Sequence, residues 1–163
     1  MPNSLSFARV RIWDLPTRLF HALLVVSVIG LVVTGEVGGD AMKIHFWLGY
    51  TVLTLVFFRV VWGLVGGHWS RFSHFVPTPA KLRAYLQALR AQQTTSPIGH
   101  NPLGALSVLA MLSLLMLQVF SGFMSDDEIS NAGPWTSLIP NNWVEWATTY
   151  HSDIGKAALL VLI

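Results

Sequence analysis

The sequence predicts an all-α integral membrane protein, a four-transmembrane-helix bundle whose fourth helix is cut short. Three observations carry this expectation. Charged residues make up 11% of the chain and hydrophobic ones 53%, whereas a soluble domain carries about 25% charged residues. The apolar residues gather into four runs, three of them long enough to cross about 30 Å of hydrocarbon. The lysines and arginines crowd onto alternate connections between those runs, as the cytoplasmic loops of a membrane protein require.

Taken in order, residues 1–14 form a short polar lead with Arg9, Arg11 and Asp14. The first apolar run covers about 15–35. It shows no small-x-small cleavage site and exceeds the apolar stretch of a signal peptide, so a retained helix is expected. The short 36–43 connection makes the next helix, about 45–67, its antiparallel neighbour. Residues 68–100 are polar and basic, and within them Thr78-Pro79 reads as an N-cap followed by a first-turn proline. Leu82, Tyr85, Leu86 and Leu89 then recur at helical spacing, which predicts an amphipathic interfacial helix over about 79–91. Asn101-Pro102 repeats the cap signal and opens a charge-free run over 102–125. The 126–150 loop is acidic and rich in Gly, Pro, Asn and Trp. The fourth run starts near Thr148 and is still apolar at Ile163, too short to cross the bilayer, so the helix is expected to continue past that residue. Residues 1–163 read as a single transmembrane domain.

Orientation follows from the basic residues. Eight of the ten (Arg9, Arg11, Arg18, Arg59, Arg71, Lys81, Arg83, Arg90) lie in or beside the lead and the 68–100 loop. Lys43, Lys156 and seven of the eight acids lie on the other side. This predicts a multi-pass membrane protein whose N-terminus and 68–100 loop are cytoplasmic and whose 36–43 and 126–150 loops face outward. A net charge of +2 gives no reason to expect a nucleic-acid partner.

The chain has no cysteine. That excludes disulfides, iron–sulfur clusters, thiolate-ligated haem and covalent c-type haem. Histidines are the remaining strong metal ligands. On the predicted topology His45 and His151 both stand at the outer mouths of their helices, at similar depth, and His21 stands near the cytoplasmic start of the first. An imidazole from each of His45 and His151 suits the two axial positions of one iron. Gly49 and Gly155 each follow four residues later, on the same helical face, and would leave a hollow for a porphyrin. Close helix packing is the other use of such glycines. His21 has no partner at its depth within the sequence, which points to a histidine on the continuation of the fourth helix.

Arg59 carries two readings of equal weight: pairing with the propionates of an inner haem, or snorkelling to lipid phosphates. His68 and His74 belong to a basic loop and read as solvated. Met111, Met116 and Met124 read as packing residues. Asp126-Asp127-Glu128 is a solvated loop or a docking patch for a cationic partner.

The chain resembles the bacterial cytochrome b561 family, including the b-type cytochrome subunits of membrane hydrogenases. The matching residues are Val10-Arg11-Ile12-Trp13-Asp14 with Pro16, Arg18-Leu19-Phe20-His21, and His45 with Gly49-Tyr50. They continue with Arg59 and Trp62-Gly63, Arg71-Phe72, the Gly99-to-Ala105 stretch GHNPLGA, Gly133-Pro134 and His151. The resemblance implies a bundle holding two haems b stacked across the membrane. It implies that His45 and His151 hold the outer haem. It also implies that His21 pairs with a fourth-helix histidine about fourteen residues, four turns, after His151 and so beyond Ile163. His100 receives no ligand role.

The function expected is electron transfer across or within the membrane, between quinol or quinone and a periplasmic or membrane redox protein. Two imidazoles per iron leave no open coordination site, which suits outer-sphere transfer. The chain is then an electron-transfer cytochrome or part of a quinone-linked oxidoreductase. The alternative is a haem-bearing anchor subunit of a respiratory complex such as a hydrogenase, docking its partner on the acidic cluster with Trp143 and Trp146. A haem-free transporter would show inverted repeats and broken helices, and the sequence displays neither.

Overall fold

A computed structural model describes residues 13–93, 101–129 and 131–162. Arg9, Arg11 and His100, which the sequence analysis singled out, lie outside them. Among the described residues the protein is helical, and its β-structure is an isolated bridge between Asp126 and Ala132.

Among the described residues three helices are long and apolar enough to cross a membrane. Helix α1 spans Leu15–Val37, α2 spans Met42–Val65, α3 is the short Phe72–Phe75, α4 spans Pro79–Arg90 and α5 spans Pro102–Met124. Three of the starts share one device. Asp14, Thr78 and Asn101 each accept a hydrogen bond from the backbone N–H three residues on, with proline in the first turn behind them. Between α1 and α2 the chain reverses through Gly38 and Gly39, both at positive φ (65° and 52°), where a side chain would be strained.

The last helical stretch begins earlier than expected. Helix α6 spans Asn141–Thr149, a π-helical segment follows over Tyr150–Gly155, and α7 spans Lys156–Leu162. The sequence placed this start near Thr148, because Asn141, Asn142 and Glu145 give the first turns a loop-like composition. Helix α6 is amphipathic, and Ala147 is its buried point. The whole stretch packs along α5. Its register against α5 is pinned where Thr148 Oγ1 accepts from the Asp126 N–H at 3.0 Å.

Helices α1, α2, α5 and α7 share a core of Phe20, Leu24, Val52, Val56, Leu112, Leu115, Val119 and Leu159. Met111 and Met116 pack against it as gap-filling side chains. Large apolar residues on the other faces of α1 and α2, such as Val26, Trp47 and Phe57, are exposed. In a bilayer that exposure is contact with lipid and carries no hydrophobic penalty.

Candidate functional site

His45, in the first turn of α2, and His151, in the π segment, come from opposite sides of the bundle and meet. Their ring centroids lie 6.0 Å apart with the planes at 80°. Two imidazoles bound to opposite sides of one metal, with metal–nitrogen bonds of about 2 Å, have centroids roughly 6 Å apart. The spacing observed fits such a pair, and it is also that of an edge-to-face ring contact.

Each ring is oriented by the same small device on a neighbouring helix. His45 Nδ1 is 3.1 Å from the Leu31 carbonyl oxygen and 3.3 Å from Thr34 Oγ1 on α1. His151 Nδ1 is 2.8 Å from the Gln118 carbonyl oxygen and 3.3 Å from Ser121 Oγ on α5. A carbonyl can only accept, so Nδ1 carries the proton in both rings. Nε2 is left with its lone pair, the tautomer that a metal-binding histidine needs. In both helices the carbonyl is three residues before the hydroxyl, and a glycine follows the hydroxyl at once: Leu31, Thr34, Gly35 and Gln118, Ser121, Gly122.

Those glycines matter sterically. A Cβ on Gly122 would stand 2.8 Å from Cε1 of His151, and one on Gly35 would stand 3.4 Å from Cε1 of His45. Sequence reasoning missed both, although the Thr-Gly and Ser-Gly pairs near the outer ends of α1 and α5 are the readable signal.

A cavity of about 450 Å³ runs between the helices beside the two rings. His45, Gly49, Val52, Leu115, Gly122 and His151 are among its lining residues. Gly49 opens directly onto free space, with no atom within 4 Å of where its Cβ would be. Gly155 behaves differently: it is buried against the Gln118 side chain and the Tyr150 ring. The reason is the helix type. The π-helical turn, whose hydrogen bonds run i to i+5, winds less per residue than an α-helix and so shifts Gly155 from the position an α-helix would give it. A pair of Nε2 lone pairs, flanking glycines and an apolar slot together fit a haem.

His21 stands apart, about 20 Å further along α1 than Thr34. Its Nδ1 donates to the Thr17 carbonyl at 2.8 Å, which again leaves Nε2 unprotonated. The ring is flanked by Trp13 and Phe20 and is exposed on the helix surface. Arg59 lies at the same end. It is buried, 5% exposed, and Nη1 donates to the Ser70 carbonyl at 3.2 Å. The guanidinium lies 5.0 Å from the Phe72 ring centroid and 5.8 Å from that of Phe75. This is internal anchorage, not snorkelling to phosphates.

Around Arg59 some of the residues that carried the family resemblance, Asp14, Trp62, Gly63, Arg71 and Phe72, form one knot with Thr17 and Ser70. The Asp14 carboxylate accepts from the Thr17 N–H at 2.9 Å, Trp62 Nε1 at 3.0 Å and Ser70 Oγ at 2.9 Å. Ser70 Oγ is also 3.0 Å from Thr17 Oγ1. Arg71 Nε donates to the Gly66 carbonyl at 2.7 Å, and Phe72 packs where Gly63 leaves no side chain. The knot ties the start of α1 to the end of α2. His68 and His74 are exposed beside it, their ring centroids 3.9 Å apart.

The chain matches the prokaryotic cytochrome b561 family over residues 12–163. It is 26% identical to the probable Ni/Fe-hydrogenase 1 B-type cytochrome subunit of Escherichia coli (strain K12), over 69% of this chain and 58% of that protein. It is 28% identical to the probable Ni/Fe-hydrogenase B-type cytochrome subunit of Azotobacter chroococcum mcd 1, over 80% of this chain and 65% of that one. The figure is 25% for the corresponding subunit of Bradyrhizobium diazoefficiens, over 94% and 74%. The chain therefore spans less than two thirds of the length of the first two relatives. No solved structure matches it. Paired, oriented imidazoles in a helical bundle and a match running from Ile12 to Ile163 lead to one conclusion: the chain belongs to the prokaryotic cytochrome b561 family, a membrane family whose cofactor is haem b.

Proposed function

We propose that the protein is a di-haem b-type cytochrome of the bacterial inner membrane, passing electrons between quinol or quinone and a protein redox partner. The single observation that carries the reading is the 6.0 Å approach of His45 and His151, each with Nδ1 committed to a carbonyl. In this reading the stretch from Asn141 to Leu162 belongs to a fourth membrane helix, and residues 1–163 form one domain. His45 and His151 hold the outer haem. His21 supplies a ligand to the inner one, and Arg59 lends it a buried positive charge through the knot that links Thr17 and Ser70.

Haem supplies one-electron transfer when bound there. The chain's own residues do the rest. His45 and His151 would hold the haem iron between them and leave no open position for oxygen. Leu31 and Gln118 hold the rings in register, and Val52 and Leu115 keep the slot apolar, which limits reorganisation by water. An electron passing from the level of His45 to that of His21 crosses much of the bilayer. Each charge moved across 100 mV changes the free energy by about 2.3 kcal/mol, so the membrane potential sets a preferred direction.

The names of the relatives favour a second role within the same reading: a membrane subunit that takes electrons from a hydrogenase-like partner. Trp143 and Trp146, exposed on α6, and the acidic Asp126-to-Glu128 turn supply a surface for it. Reduced-minus-oxidised absorption spectra of membranes test the main reading. Wild-type membranes should show a low-spin b-type signal that the His45→Ala variant loses in part. An unchanged spectrum in that variant would sink it. Co-purification in mild detergent separates a free carrier from an anchor subunit.

A further inference from the structure

The mouth of the cavity beside His45 and His151 is unbalanced in charge. Its described lining includes four carboxylates, Glu36, Asp126, Asp127 and Asp153, and one lysine, Lys156, with no arginine. Lys156 Nζ donates to Glu36 Oε1 at 2.7 Å, joining the start of α7 to the end of α1 across that mouth. The two side chains are 40% and 63% exposed, so both ends of the pair remain within reach of another charged group.

The π segment explains the position of Lys156. Five residues along an α-helix turn through about 500°, which would leave position 156 roughly 140° away from the face of His151. A π turn hydrogen-bonds i to i+5 and so winds less per residue, which brings position 156 closer to the face of His151 than an α-helix would. His151 and Lys156 accordingly both line the cavity, while Gly155 is turned against Gln118. One inserted residue thus sets an imidazole and an ammonium group on the same wall. Single π turns of this kind recur at functional sites.

We propose that Lys156 is the cationic anchor for the carboxylate arms of the haem gripped by His45 and His151, and that Glu36 is its competing counter-ion. The inference rests on the haem reading of this cavity. Any anionic arm reaching the mouth meets four like charges, and among the described lining residues Lys156 is the one lysine or arginine to offset them. Glu36 opposes the anchor twice, by occupying Lys156 and by adding a negative charge. The two members of the pair should therefore act on the haem with opposite sign, which a purely structural clasp between α1 and α7 would not produce.

The test uses the full chain purified in detergent, with excess apomyoglobin as a haem acceptor and with potentiometric titration of the haem that depends on His45. In Lys156→Gln the haem should leave roughly two- to fivefold faster, the range of a partly exposed ion pair, and its midpoint potential should fall, because a lost positive charge favours the ferric form. Lys156→Arg should restore both. Glu36→Gln should slow haem loss and raise the potential. Equal acceleration in Lys156→Gln and Glu36→Gln would show a structural clasp and overturn the proposal, and so would no change in either. If the wild-type spectrum does not depend on His45, the haem reading itself fails, an outcome separable from the other two.

Discussion

Gly122 of α5 lies so close to His151 that a Cβ there would stand 2.8 Å from Cε1 of the ring. Real side chains essentially never approach that closely, so Gly122→Ala must push the imidazole out of line. Overpacking of this kind costs about 1–3 kcal/mol. If His151 holds haem as proposed, the expected result is a protein that inserts in the membrane but loses most of that haem. At Gly35 the corresponding distance is 3.4 Å, and Gly35→Ala should retain most of it. Pyridine haemochrome absorbance per mole of purified chain measures both, and equal loss in the two variants would contradict the geometry.

The pairing of His45 with His151 predicts non-additive losses. His45→Ala, His151→Ala and the double variant should all lack the same spectral component, because in the proposed site both histidines hold one haem. His21→Ala should leave that component in place and remove another. Loss of both components in the double variant, with neither lost in the single ones, would refute the pairing. Haem counting on the full-length protein should give two per chain in the wild type and about one in each single variant.

Asp14 makes the knot sensitive to acid. Burial pushes its carboxyl upward, but the hydrogen bonds from Thr17, Ser70 and Trp62 outweigh that effect and hold it below its ordinary value of 3.8. A carboxyl whose value is depressed on folding stabilises the protein above its unfolded value, and the contribution disappears as pH falls through the folded one. Thermal melting in detergent should therefore show no effect of this group between pH 7 and pH 5, and a decline below about pH 4. Asp14→Ala also removes the α1 cap, and should cost about 1–2 kcal/mol at pH 7 while flattening the acid limb. An acid limb equally steep in the variant would assign it to other carboxylates.

Eight basic residues against two predict the orientation. A reporter enzyme active only in the cytoplasm should be active when fused after Arg90 and silent when fused in the 126–140 turn. The reverse pattern would invert the topology and exchange the inner and outer haem positions.

Much of this architecture is legible without coordinates. The spans over α1, α2 and α5 follow from the cost of placing charge in hydrocarbon, which leaves long apolar runs few alternatives. The cap-and-proline starts at Thr78 and Asn101 are local chemistry, so a local reading suffices. His45 was legible because α2 is a regular helix whose face can be counted, and His151 because it stands at the mouth of the fourth apolar run. The start of α6 was not, since Asn141 and Asn142 resemble a turn until the far side of the helix is seen packed on α5.

What the sequence determined by itself is the membrane class, the three apolar spans and the histidines available to a cofactor, because these depend on residue type and regular periodicity. Tertiary structure alone decided which carbonyls orient the rings, which glycines make room for them, and that Asp14, Arg59, Trp62 and Ser70 form one knot. Those contacts join residues from different helices, and the bundle's packing sets their pairing. It also decided the π turn at Tyr150–Gly155. Nothing local marks a single inserted residue, yet it rotates all that follows, turning Gly155 into the packing and Lys156 onto the cavity wall.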